Sequence, residues 1–172
     1  MELDRMDRGI LQVLQEDGRI SNQDLAEKVG LSPSPCLRRV RQLEEAGIIN
    51  KYVALVNGSA LGLKMLALIQ IRMDRHTPDR FAQFEETLKS YPQVLELILI
   101  TGQSADYQVK VLVKDMEEYQ DFLLNKITPL PGVSDVHSSF VLRQVIAKTE
   151  LPIESLYCVL ANTGRGRGLA WL

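Results

Sequence analysis

The chain has 172 residues, room for one ordinary domain or two small ones, and its 45% apolar and 24% charged residues are typical of a soluble globular protein. The net charge of -2 excludes a generally basic nucleic-acid coat, so any DNA contact has to come from a local patch. The amino terminus is charged, no apolar run follows it, and no segment is long enough to span a bilayer, so a cytoplasmic protein with no membrane partner is expected.

Asp4, with Asp7 three residues on, carries the start signal of a first helix. Met6, Ile10, Leu11 and Leu14 follow at helical spacing, and Gly18 is predicted to end it. Ser21-Asn22-Gln23-Asp24 repeats the signal for a short helix carried by Leu25, Ala26 and Val29. Gly30-Leu31 then turns the chain into a third helix. Ser32 is predicted to cap it, Pro33 suits its first position, and Gly47 stops it.

Cys36, Val40 and Leu43, with Leu37 alongside, form the apolar stripe of this third helix. The opposite side carries Ser34, Arg38, Arg41 and Glu45, with Arg39 and Gln42 at its edge, and no acid occurs before Glu44. Arginine forks match guanine edges and phosphates, and small hydroxyls permit close approach. Taken alone, the stripe fits a solvated basic face equally well. Two short helices joined through glycine, the second presenting the basic face, favour a helix-turn-helix over a generic three-helix bundle. The candidate DNA-contacting residues are Ser21, Asn22, Ser32, Ser34, Pro35, Arg38, Arg39 and Arg41.

Residues 48–56 are β-branched and aromatic and read as extended, a wing beside the helices. Asn57-Gly58-Ser59, with Gly62 beyond, is a turn-rich break, which predicts domains at 1–58 and 59–155. The second half predicts a strand over 63–73, a helix from Thr77-Pro78 carrying Phe81, Phe84 and Leu88, and strands over 94–101 and 106–113. A helix capped by Asp115 and a strand over 133–147 follow. Strand, helix, strand, strand, helix, strand is the ferredoxin-like order, so the fold class is α+β. Helices cover one sheet face. Leu66, Leu68, Leu95, Leu97 and Leu99 on the other face ask for a partner sheet, so a homo-oligomer is expected. Residues 156–172 do not continue this pattern and receive no function.

The loop 101–107 is the candidate small-molecule site. Gly102 lets backbone amides approach a carboxylate, Asp106 can receive an α-ammonium, and Tyr107 adds a ring with a polar tip. Thr101 belongs to the same loop, and Ser138 and Ser139 are candidate neighbours on the last strand. Leu97, Leu99 and Ile100 can line an apolar slot, which suits leucine or methionine. From the residues alone, an ordinary hairpin loop with an Asx-type turn is the stronger reading. His76 and His137 read as unrelated surface histidines. Cys36 and Cys158 make neither a metal cluster nor a disulfide framework, Cys36 reading as a small core residue. No phosphate loop or serine–histidine–acid set appears. Hence no catalytic residue, metal or cofactor is expected.

The runs 3–7 (LDRMD), 14–22 (LQEDGRISN) and 29–40 (VGLSPSPCLRRV), with Thr101-Gly102 and Asp106-Tyr107, resemble the Lrp/AsnC feast/famine transcription regulators. The resemblance covers residues 3–152 in the family's order. It implies a winged-helix DNA reader joined to an effector-binding dimerisation domain. Dimers assembling to octamers are implied as well, with a free amino acid bound between dimers, and it shifts the reading of loop 101–107 from a plain hairpin to the effector site. The alternatives are an architectural DNA-organising protein with little effector response, or an enzyme akin to the tetrapyrrole decarboxylases among the family's relatives. Arg38, Arg39 and Arg41 argue against the enzyme.

Overall fold

The computed structural model describes residues 2–102 and 105–153; the tail 156–172 and loop residues 103–104 lie outside them. By backbone proximity the chain divides into two compact units, Met1–Leu55 with the segment starting at Ile146, and Val56–Val145.

The first unit is three helices, α1 (Arg5–Glu16), α2 (Asn22–Val29) and α3 (Pro33–Glu45). Asp4 and Asp7 form a reciprocal capping box, each carboxylate accepting the other's backbone N–H. α1 stops at Glu16, two residues short of Gly18, with Asp17 already extended. The Ser21 hydroxyl accepts the Asp24 N–H at the start of α2. Gly30 then adopts φ 73°, a left-handed turn that a side chain would strain. α3 starts at Pro33 as expected, but Ser32 makes no side-chain cap bond. The reason lies in the sequence: Pro33 and Pro35 remove two of the three first-turn amides, including the third-position one a capping hydroxyl commonly reaches. Ile10, Leu25, Ala26, Cys36 and Leu43 are buried together as the core.

Beyond α3 one expectation is corrected. Residues 48–56 form no strand and no wing ladder; among the described residues every strand lies between Met65 and Phe140. Extended-prone residues need a neighbouring strand to pair with, and none is present here. Ile48 and Ile49 instead pack on the helical core, and the Tyr52 hydroxyl donates to Glu44 at 2.9 Å. In space, residues 146–153 lie with the first unit. The Gln15 side chain on α1 accepts the Leu151 N–H at 2.6 Å and donates to the Leu151 carbonyl at 3.2 Å, as a neighbouring strand would. Ile153 packs against the same core.

The second unit is a four-stranded antiparallel sheet, β1 (Met65–Met73), β2 (Val94–Leu99), β3 (Tyr107–Val113) and β4 (Val133–Phe140), in the order β2-β3-β1-β4. α4 (Pro78–Lys89) and α5 (Met116–Phe122, continued by a wide turn over Leu123–Ile127) pack on one face. Strand alternation places Ala67, Ile69, Ile71 and Met73 of β1 and Tyr107, Val109, Val111 and Val113 of β3 against Phe84, Leu88, Tyr119 and Phe122. This is the ferredoxin-like arrangement. The opposite face carries Leu66, Leu68, Leu112 and Ile98 with Gln70, Gln108 and the Lys110–Glu96 ion pair. Leu97 and Leu99 do not join it. A register shift between Val94 and Glu96 sets them opposite Val109 and Tyr107, on the helix side. β4 is also shorter than expected, ending at Phe140.

Candidate functional site

α3 has no acid in its first turn, and Ser32, Ser34, Arg38 and Arg41 on it are exposed while Pro35 is half-buried. Among the described residues nothing pairs with the guanidinium of Arg38 or of Arg41. A helix anchored by Cys36 and Leu43, each fully buried, therefore holds two cations and two hydroxyls toward solvent.

Arg39 is different, because it is engaged within the fold. One of its nitrogens, Nη1, lies 2.7 Å from Asp4 Oδ2 and 2.7 Å from Asp7 Oδ1. The Asp7 side chain is only 4% exposed, so its charge needs a partner, and Arg39 is that partner. The hydrogen bond it donates to Asp7, then that to Asp4, raises the Arg39 guanidinium above its ordinary range. The Asp7 backbone N–H, opposed by burial and aided by Arg39, lowers the Asp4 carboxyl. Arg39 thus fastens α3 to the start of α1. Two further candidates are also engaged within the fold. Ser21 donates to Asp24 at 2.6 Å, and Asn22 donates from Nδ2 to the Pro33 carbonyl at 2.9 Å, tying α2 to the start of α3.

The effector candidates are not all brought together. Asp106 stands at the head of β3, where its backbone N–H donates to Ile71 and its carbonyl accepts from Ile100. Its carboxylate accepts the Met73 N–H at Oδ2 (2.7 Å) and meets His76 Nε2 at Oδ1 (2.8 Å). Burial opposes its charge, but the Met73 N–H, His76 and the Arg72 field outweigh burial and hold the carboxyl below its usual range. Thr101 and Gly102 are exposed beside it. Gly102 is not in the left-handed region and has open space where a side chain would sit, so its backbone is approachable without being strained.

Tyr107 does not present its ring to this site. It is 1% exposed, faces α4 and donates to Glu85 at 2.7 Å; burial, then that hydrogen bond, pushes its phenol well up. Ser138 and Ser139 lie on β4, separated from β3 by β1. Ser138 faces the helices and is hydrogen-bonded with the Tyr119 hydroxyl, while Ser139 sits opposite Leu68 on the other face. Adjacent strand residues point to opposite faces, so the two serines cannot serve one site within a single chain. His76, read from sequence as an unrelated surface histidine, is the residue missed. No spacing rule links it to Asp106, thirty positions away.

A helical unit with a solvent-facing cationic helix, followed by a ferredoxin-like sheet with an ionisable cluster at one end, is the architecture of DNA-binding regulators with a separate ligand-binding domain. Residues 3–50 match the model of a winged helix-turn-helix DNA-binding domain and residues 66–151 that of the Lrp/AsnC ligand binding domain. The chain is 43% identical to the Bkd operon transcriptional regulator of Pseudomonas aeruginosa, over 88% of its length and 99% of the relative's. It is 42% identical to the leucine-responsive regulatory protein of Escherichia coli K12, over 90% of its length and 93% of the relative's. A transcriptional regulator of Neisseria meningitidis, solved as its L-methionine complex, superposes with a TM-score of 0.86 at 41% identity, over 90% of this chain and 99% of that one. The chain belongs to the Lrp/AsnC family of transcription regulators.

Proposed function

We propose that this cytoplasmic regulator reads double-stranded DNA with the outer face of α3, through Arg38, Arg41, Ser32 and Ser34. Its effector is a free α-amino acid with an uncharged, apolar side chain, leucine or methionine, held at Asp106, Thr101 and Gly102. Dimers form through the sheet face carrying Leu66, Leu68, Ile98 and Leu112, and assemble further to an octamer. The single observation that carries the DNA reading is the pair of exposed guanidinium groups, without partners among the described residues, on a helix pinned by Cys36, Leu43 and Arg39. The methionine held by the Neisseria relative and the name of the leucine-responsive relative support the effector class. The relatives named above lend no support to the architectural reading or to the decarboxylase reading.

Thermal shift with leucine, methionine, lysine and glutamate tests the effector. Ligand at a hundred times its dissociation constant stabilises the native state by about 2.7 kcal/mol. A shift with leucine or methionine alone is expected. A shift only with lysine or glutamate overturns the side-chain class, and none with any amino acid overturns the effector reading.

A further inference from the structure

The two oxygens of Asp106 are not equivalent. Oδ2 is fixed by the Met73 N–H, part of the backbone at the end of β1. Oδ1 is held by the imidazole of His76 alone among the described residues. The Asp106 side chain is 18% exposed and that of His76 is 66% exposed, so the histidine lies on the solvent side of the carboxylate. His76 sits between β1 and α4, its ring edge-on to Phe81 at 5.9 Å, and Phe81 in turn rests edge-on against Tyr107.

We propose that His76 occupies the ammonium position of the effector site, so that an amino acid binds by displacing its imidazole from Asp106 Oδ1. This rests on the reading of Asp106 as the ammonium partner. The chemistry of exchange is favourable in kind. An exposed histidine–carboxylate pair is weak, and an α-ammonium is a compact cation with three donors that can satisfy the same oxygen. Oδ2 stays on Met73 throughout, so the carboxylate remains aimed while its outer oxygen changes partner.

The other charged groups around the pair do not replace His76 in this role. Arg72 on β1 adds a positive field at Asp106 that acts whether or not ligand is bound. Asp74 before the loop pairs with Arg80 on α4 at 3.6 Å, and Glu85 on α4 is engaged by the Tyr107 hydroxyl beneath. His76 therefore competes with an incoming ammonium for Oδ1, and removing its imidazole should raise effector affinity.

Calorimetry of the full chain with L-methionine and with L-leucine tests this on wild type, His76→Ala and Asp106→Asn. His76→Ala has no imidazole to displace and is expected to bind about 2–5-fold more tightly than wild type. Asp106→Asn is expected to lose binding. A His76→Ala variant that binds no more tightly than wild type, while binding still needs Asp106, overturns the displacement. Undiminished binding by Asp106→Asn, or no amino-acid binding by wild type, overturns the effector reading itself. A second readout needs no variant. The imidazole NMR signals of His76 should move when saturating methionine releases the ring from Asp106, and unmoved signals contradict the proposal.

Discussion

Arg38 and Arg41 on α3 and Asp106 at the head of β3 are the charged groups proposed above for recognition, yet they stand in opposite states. The two arginines have no partner among the described residues, while both oxygens of Asp106 are engaged within the unit that carries it. DNA is a large polyanion that meets the protein from outside, so cations kept in water are ready for it at no cost of exchange. In the proposed effector site, a small zwitterion meets a carboxylate whose oxygens already have internal partners. Arg39 sharpens the contrast. It is adjacent in sequence to Arg38 and chemically identical, but it points to Asp4 and Asp7 and belongs to the scaffold.

The largest effect separates Arg39 from its neighbour. Arg39→Ala leaves the buried Asp7 carboxylate without its cation and should cost the helical unit about 2–4 kcal/mol, measured by urea unfolding, because breaking a buried pair strands a charge. Arg38→Ala should change that stability by less than about 0.5 kcal/mol. Equal losses in the two variants would erase the distinction.

A smaller contrast concerns glycines near Asp106. Gly132 has φ 95°, and a side chain there would come within 3.0 Å of the Met73 Cε, so Gly132→Ala should cost about 1–2 kcal/mol. Gly102→Ala should stay within about 0.5 kcal/mol, because neither conformation nor space opposes it, while its effect falls on amino-acid affinity. The comparison is read from thermal midpoints and methionine titrations of the two variants. The smallest effect is on pH. The folded carboxyl of Asp106 is lowered, so its contribution is complete above the ordinary aspartate value near 3.9 and is lost as pH falls through the lower folded value. Asp106→Asn should flatten that part of the acid-unfolding curve of the second unit, followed by circular dichroism.

What could be read from residues alone follows the same division. The exposed face of α3 was legible because a helix repeats every 3.6 residues and caps mark its ends. The order of strands and helices was legible for the same reason, period two against period 3.6. Pairings across the chain were not. Arg39 meets acids 32 and 35 positions away, and its place at the edge of the polar face says nothing of those partners. The irregularity between Val94 and Glu96 moved Leu97 and Leu99 to the helix side, an event no alternation rule anticipates. Ser138 and Ser139 are consecutive on one strand, and adjacency in a strand means opposite faces. The effector loop was marked as a site by its resemblance to a family, whereas its internal partner His76 came only from the fold.

The account turns on α3 reading DNA through Arg38 and Arg41 while Arg39 holds the helix in place. The direct measurement is fluorescence anisotropy on a duplex selected by the wild-type protein from a random pool, over a salt series, for wild type and the double variant Arg38→Ala/Arg41→Ala. The double variant should keep the wild-type unfolding midpoint and lose at least about tenfold in affinity. Its log-affinity against log-salt slope should be shallower by about two, one for each lost phosphate contact. A double variant that binds with wild-type affinity and wild-type slope would contradict the assignment of α3 as the reading helix.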